Sequence, residues 1–382
     1  MKRIGIGGLA AAAFLACSSL APAAEPPIKI GSFITLTGPA GFLGTPMKQV
    51  FEYEIADLNK AGGLLGRKIE LIIYDDGGAV EKSTSFAKRL IEDDKVDLII
   101  GGTLTPSALA AIPLVEKAEI PMITWAGALG IVEPAKKWVF KVSQTDRMAA
   151  EKVLSDLKAR RLTKLALISE NVGFGKSGRD QTVLLAPSYG IEIVADETYA
   201  PRDPDVTVQL TKIKNTAGVQ AVFNWGFGQG PAIVTRNYRQ IGVTVPLYHA
   251  HAVASKEFIK LAGDAANGVR LPASGILVAD QLPVTDPQYP VVTTFKKIFE
   301  SRAKTEISTY AGHGWDSLQI ALSAIQRAGS TDKAKVRDEI EKTRGFIGTA
   351  GTFNMSPTDH MGLTPSAFHM VEIKNGDWSL IK

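Results

Sequence analysis

Cysteine is all but missing from this sequence. The single Cys17 falls in the first twenty-four residues, so the rest of the chain has no disulfide framework and is held together by burial alone. Charge of one sign is missing too. With Lys2 and Arg3 set aside, 41 of the 43 basic side chains face 39 acidic ones, a formal +2 spread along the chain. That balance removes the electrostatic footprint that nucleic-acid binding requires. Beyond residue 24 no apolar run approaches the ~20 residues of a membrane span. Tandem repeats of solenoid period and low-complexity stretches are absent, which points to a globular chain.

The signatures of several enzyme classes are missing as well. Gly173-Phe174-Gly175-Lys176-Ser177 ends like a phosphate loop, but Glu170 occupies the required leading glycine position. Gly38 to Gly44 follows a strand without dinucleotide-binding spacing, and no G-x-S-x-G elbow exists. His249-Ala250-His251 looks like half a metal site with no third ligand at a recognisable spacing. The expectation is therefore no enzyme, no metal and no cofactor.

At the amino terminus, Lys2 and Arg3 precede an apolar run from Ile4 to Leu20 and the small-residue stretch Ala21-Pro22-Ala23-Ala24. This is the pattern of a cleaved signal peptide over residues 1–24 and predicts export to the periplasm. Cys17 matches a lipoprotein box only loosely. About 358 residues remain, enough for two cores.

From Ile28 onward, β-rich runs alternate with helical stretches, the pattern of parallel sheets covered by helices. Strands are predicted at 28–34, 69–74, 98–100 and 122–124, with helices at 47–61, 82–93 and 106–118. The series restarts with a helix at 149–161 and continues to a strand at 246–250. Helices at 290–304, 311–329 and 332–343 follow, then a hairpin around Asn375-Gly376. The fold class is α/β, with two doubly wound parallel-sheet lobes.

The segment Ile99-Ile100-Gly101-Gly102-Thr103-Leu104-Thr105-Pro106-Ser107-Ala108 carries the most chemical information. A buried strand ends in two glycines, and a helix opens with Thr105 as N-cap and Pro106 at the first helical position. Backbone donors of Ser107 and Ala108, the Thr105 hydroxyl and the positive end of the helix converge on one point suited to an anion. The competing reading is that Thr105 only caps its helix.

Several stretches in register resemble the periplasmic branched-chain amino-acid-binding protein family of ABC importers. They include Lys29-Ile30-Gly31 to Gly38-Pro39, Asn59 to Leu71 with its Ala61-Gly62-Gly63-Leu64-Leu65-Gly66-Arg67 core, and Tyr74-Asp75-Asp76. Ile120-Pro121-Met122-Ile123, Gly173-Phe174-Gly175 and Leu261 to Val269 continue the likeness across nearly the whole chain after residue 27. The resemblance implies two lobes of the type I periplasmic binding fold, residues 28–145 with 275–350 and 146–274 with 351–382, joined by three crossover strands. They close over a solute, which is then delivered to a membrane permease.

By the same resemblance, the hydroxyl that holds the ligand carboxylate falls on Thr105, with Ser107 beside it. The two positions that hold an ammonium fall on Ala128, near Ala126, and on His251. Cleft aromatics of the family fall on Phe174, Phe227 and Leu43. The anion end is thus kept while the ammonium end is lost. A desolvated ammonium without acceptors or a counter-charge costs several kcal/mol, so a carboxylate without an α-ammonium is expected. Phe42, Leu43, Phe174, Trp225 and Phe227, with Trp125, are expected to form flat apolar walls. His249 and His251, two apart, are expected to face one side and meet a polar group. An aromatic carboxylate ranks first and a branched keto or hydroxy acid second. Branched-chain amino-acid binding and ligand sensing are the alternatives. The expected partners are this organic acid and an ABC permease, and the expected state is a monomer.

Overall fold

The computed structural model describes residues 25–381; the proposed signal segment and Cys17 lie outside them. The first sheet is built from β1 (Ile28–Ile34), β2 (Ile69–Asp75), β3 (Leu98–Ile100), β4 (Met122–Thr124) and β5 (Val139–Lys141). Its order is β2-β1-β3-β4-β5, parallel throughout. Helices α1 (Gly41–Lys60), α2 (Val80–Glu92) and α3 (Thr105–Ala118) connect the strands. After β4 the connection is only a short 3₁₀ turn at Leu129–Ile131, and β5 is a strand that the periodicity did not reveal.

Alternation along the strands sends side chains to both faces. Ile28, Ile30, Ile34, Leu98 and Ile100 enter the core shared with Met47, Phe51 and Ile55 of α1. Phe33 and Ile99 face the opposite way, toward Ala87 and Leu90 of α2 and Ala108, Ala111 and Val115 of α3. Strands buried on both faces read as continuous apolar runs, as the sequence of β3 does.

Helix α4 (Asp146–Ala159) leads into the second series: β6 (Lys164–Glu170), α5 (Gly173–Leu185), β7 (Glu192–Tyr199), α6 (Thr207–Asn215) and β8 (Ala221–Trp225). Then come α7 (Gly230–Gln240), β9 (Leu247–His249), α8 (Lys256–Ala262) and β10 (Arg270–Ala273). Strands β7-β6-β8-β9-β10 repeat the order of the first sheet. Helices α9 (Tyr289–Ala303), α10 (Thr309–Ala328) and α11 (Lys333–Glu341) follow, and β11 (Phe346–Ile347) pairs with β12 (Thr352–Phe353). The antiparallel hairpin β13 (His369–Lys374) and β14 (Asp377–Leu380) extends the second sheet beyond β10.

Residues 352–362 do not join the second sheet, to which the sequence assigns everything after 351. Phe353 pairs with Phe346, the His360 carbonyl accepts from Lys141 N at 3.0 Å, and His360 stacks on Phe140. This short stretch carries its own small pairing and an aromatic contact with β5, neither visible in linear periodicity.

Between the two sheets the chain passes near Gln144, Ser274 and Ala367. The fully buried Gln144 donates from Nε2 to Ser274 Oγ (2.9 Å) and to the carbonyls of Ala350 (2.8 Å) and Ala367 (3.2 Å). One side chain thereby ties together segments more than two hundred residues apart.

Candidate functional site

In an open α/β sheet, ligands gather where the strand order reverses, outside the carboxyl ends of the strands. Here those points are β1/β3 in the first sheet and β6/β8 in the second, and the loops after them face each other across one small cavity. After β3, Gly102 takes φ +82°, and a Cβ there would lie 3.0 Å from both Ala108 Cβ and Thr124 Oγ1. Only glycine permits this tight turn. It delivers Thr103, Leu104 and Thr105 to the cavity wall.

Thr105 is not the N-cap that the sequence predicts. The cap position is Leu104, Thr105 is the first residue of α3, and its hydroxyl makes no capping bond. Thr105 is 4% exposed, and its Oγ1 has no hydrogen-bond partner among the described residues. The capping explanation for this residue is therefore removed. The Ala108 N–H is spent on the Leu104 carbonyl at 2.9 Å, and the Ser107 hydroxyl accepts from Ser83 Oγ at 2.8 Å. Ser107 thus turns toward Ser83 and Asp76, away from the cavity.

Leu43 of α1 and Trp125, just beyond β4, line the first-lobe side, where Trp125 donates from Nε1 to Ser317 Oγ at 3.0 Å. From the second lobe come Phe174, at the start of α5, Phe227, in the loop after β8, and His251. Phe174 meets His251 edge-on at 5.3 Å. The lobes are in contact: a Cβ on Gly127 would lie 2.6 Å from the Phe174 ring, and Tyr310 of α10 donates to the Ala252 carbonyl at 2.6 Å. Within the second lobe, Ser177 bonds Asp146. The space enclosed is about 50 Å³.

Besides Ser107, five sequence-predicted residues stand off the cavity wall. Trp225 is fully buried behind Phe174, with its Nε1 on Thr182 Oγ1 at 2.9 Å. His249 bonds Thr235 Oγ1 (2.9 Å) and Asn224 Oδ1 (3.0 Å) inside the second lobe. It does not share a face with His251, because β9 ends at His249 and His251 begins a 3₁₀ turn, which breaks the two-residue alternation. Ala126 and Ala128 are buried beside the cavity, and the residue between them, Gly127, supplies the wall. Phe42 packs edge-on against Tyr310 from outside, at 6.1 Å.

Sequence reasoning missed Ser143, Tyr310 and His313. The last two belong to α10, more than two hundred residues from Thr105, inside a stretch that reads only as an amphipathic helix. Its Gly312 and Gly314 were the available signal, since small residues mark close helix packing. A Cβ on Gly314 would lie 3.0 Å from the Met47 Cα of α1.

The electrostatics are one-sided. Burial, reinforced by Lys141 and His313, holds His251 well below the ordinary histidine range, and burial with Lys141 lowers His313 to about 3. Both are neutral at pH 7. Lys141 is buried with its Nζ on the Gln144 carbonyl at 3.1 Å, and burial lowers it to about 7. No described residue lining the cavity is acidic. Glu170 stands behind Phe227, whose N–H it accepts at 3.3 Å, and burial raises it to about 8, which keeps it mostly neutral. The walls can hold a small, mostly apolar molecule and offer a hydroxyl to an anion.

The family model for periplasmic binding proteins matches residues 27–377. The chain belongs to the periplasmic binding protein family. This periplasmic binding protein is 26% identical over 354 residues to a Leu/Ile/Val-binding protein homolog of Brucella melitensis, covering 92% of this chain and 93% of that one. A leucine-, isoleucine-, valine-, threonine- and alanine-binding protein of Pseudomonas aeruginosa is 24% identical, with 92% and 89% covered. Among solved structures, an extracellular ligand-binding receptor from Rhodopseudomonas palustris HaA2 superposes with TM-score 0.87 at 29% identity, covering 94% of this chain and all of that one. LivJ of Streptococcus pneumoniae, solved in complex with isoleucine, gives TM-score 0.82 at 23% identity, covering 93% and 99%, a likeness of fold. These relatives are binding proteins, and this periplasmic binding protein is a solute-binding protein rather than an enzyme.

Proposed function

We propose that this protein is the solute receptor of an ABC importer and that its solute is a small carboxylate anchored where α3 begins. The observation that carries this reading is the Thr105 hydroxyl, buried and unpaired at the positive end of a fourteen-residue helix, in a wall without acidic side chains. A carboxylate accepting from that hydroxyl and from the helix end is stabilised by charge-assisted bonds.

The other end of the cavity lacks a carboxylate to receive an ammonium, so the ligand we favour is an acid without an α-amino group. Phe174, Phe227 and Trp125 suit an aromatic carboxylate first and a branched keto or hydroxy acid second. A branched-chain amino acid is the second reading. It is favoured by the names of the curated relatives and by the neutral His251 Nδ1, which can accept from an ammonium. Ligand capture bridging the lobes would shift an open-to-closed equilibrium, and the closed form would dock on the permease.

A thermal-shift screen separates the two readings. Benzoate-like, cinnamate-like and 2-keto acids should raise the melting temperature, with leucine and valine inert. Strong stabilisation by leucine or valine alone would replace the acid reading with the amino-acid one.

A further inference from the structure

His251 Nδ1 and both ring nitrogens of His313 are buried at the cavity without a hydrogen-bond partner among the described residues. Of the three histidines away from the cavity, two are buried with ring nitrogens that find partners, while the half-buried His369 leaves its Nε2 unpaired. His249 bonds Thr235 and Asn224, and His360 bonds the Val139 carbonyl. The two cavity histidines are 9% and 3% exposed, so solvent does not supply the missing partners freely.

Both rings are held in place by their neighbours. Phe174 and Phe368 pack on His251 at 5.3 and 5.1 Å, and Tyr310 meets His313 edge-on at 6.2 Å while its hydroxyl is spent on Ala252. His313 comes from the second turn of α10 beside α1, and His251 from the turn after β9 in the second sheet. They therefore approach one cavity from opposite lobes. A neutral imidazole carries one N–H donor and one bare acceptor nitrogen. A hydroxyl oxygen can donate to one ring and accept from the other, whereas a methyl or ring C–H leaves both unpaired.

We propose that His313 and His251 form a recognition pair, one histidine per lobe, for a second polar group on the ligand, remote from its carboxylate. The ligand class is then an apolar carboxylic acid bearing a hydroxyl or oxo group. This rests on the carboxylate reading above and adds the far end of the molecule to it. The pair also couples recognition to closure, since a single ligand oxygen reaches both lobes.

The test is calorimetric titration of the mature chain with two matched pairs, benzoate against 4-hydroxybenzoate and pentanoate against 4-oxopentanoate. The substituted acid of at least one pair should bind about tenfold or more tighter than its parent, because the parent leaves buried polar atoms unpaired. In His313→Phe and His251→Phe that ratio should fall toward one, and His313→Gln, which keeps a donor and an acceptor, should restore part of it. Melting curves establish that each variant is folded; should a Phe variant fail to fold, the native ratios and the Gln variant decide. Equal binding within both pairs, or a ratio unchanged in the folded Phe variants, overturns the histidine pair. Binding of leucine with none of these acids bound sinks the reading beneath it of a ligand without an α-amino group, a different and recognisable result.

Discussion

Thr105 shows why a residue's role cannot be read from its type alone. At a helix start a threonine usually bonds its own backbone, and here it does not, which leaves its hydroxyl free for a ligand. Thr105→Ala should weaken carboxylate binding by about 1–3 kcal/mol in calorimetry, and unchanged affinity would move the anchor elsewhere. The buried histidines make a separate prediction about stability. His249 is held at about 3, chiefly by burial, so between its ordinary value and that one the unfolded chain binds more protons than the folded one. Its contribution to stability is complete above pH 6.5 and is lost as pH falls toward 3. His249→Gln should therefore show a shallower loss of stability in urea melts between pH 6.5 and 4.5, by at most about 1.4 kcal/mol per pH unit. Glu170 has the opposite sign. Raised to about 8, it lets the folded state hold a proton that the unfolded chain releases above pH 4.5, so stability falls as pH climbs toward 8. Glu170→Gln should remove that decline, and parallel pH profiles for variant and native protein would contradict it.

Among the elements, most strands and helices were legible because each carries its own period, as in β1, β3 and the stripe of α1. The ends were less legible. Helix α1 begins at Gly41, ahead of the stripe that starts at Met47, because Pro46 falls in its early turns and interrupts the pattern without breaking the helix. Strands β5 and β10 were missed because Lys141 ends the one and Arg270 and Pro272 interrupt the other, so neither reads as the continuous apolar run that marks the equally short β3. The pairing of α1 with α10 depends on a close approach at Gly314, where the glycines of the linear pattern mark tight packing without naming the partner helix. Gly314→Val should push α10 off Met47, costing about 1–3 kcal/mol of stability through overpacking. It should also weaken ligand binding, because His313 and Tyr310 ride on the same turns. Denaturant melts that match the native protein would show that the helices part without cost.

For the molecule as a whole, Gln144 is the clasp between the lobes' connecting segments. Gln144→Leu leaves the Ala350 and Ala367 carbonyls without that donor and should cost about 1–3 kcal/mol in a denaturant melt; a variant as stable as the native protein would make the clasp dispensable. The sequence by itself determined the alternation of strand and helix, the two repeated α/β series, the loop that presents Thr105, and the likeness to periplasmic binding proteins. All of these are written in neighbouring residues, where backbone periodicity and turn chemistry operate. Only the tertiary structure decided which side chains share the cavity. It withdrew Trp225, His249, Ser107 and Phe42, and it brought in His313 and Tyr310 from a distant helix. The physical reason is that a wall is set by which faces of separate elements meet, and that depends on packing between lobes far apart along the chain.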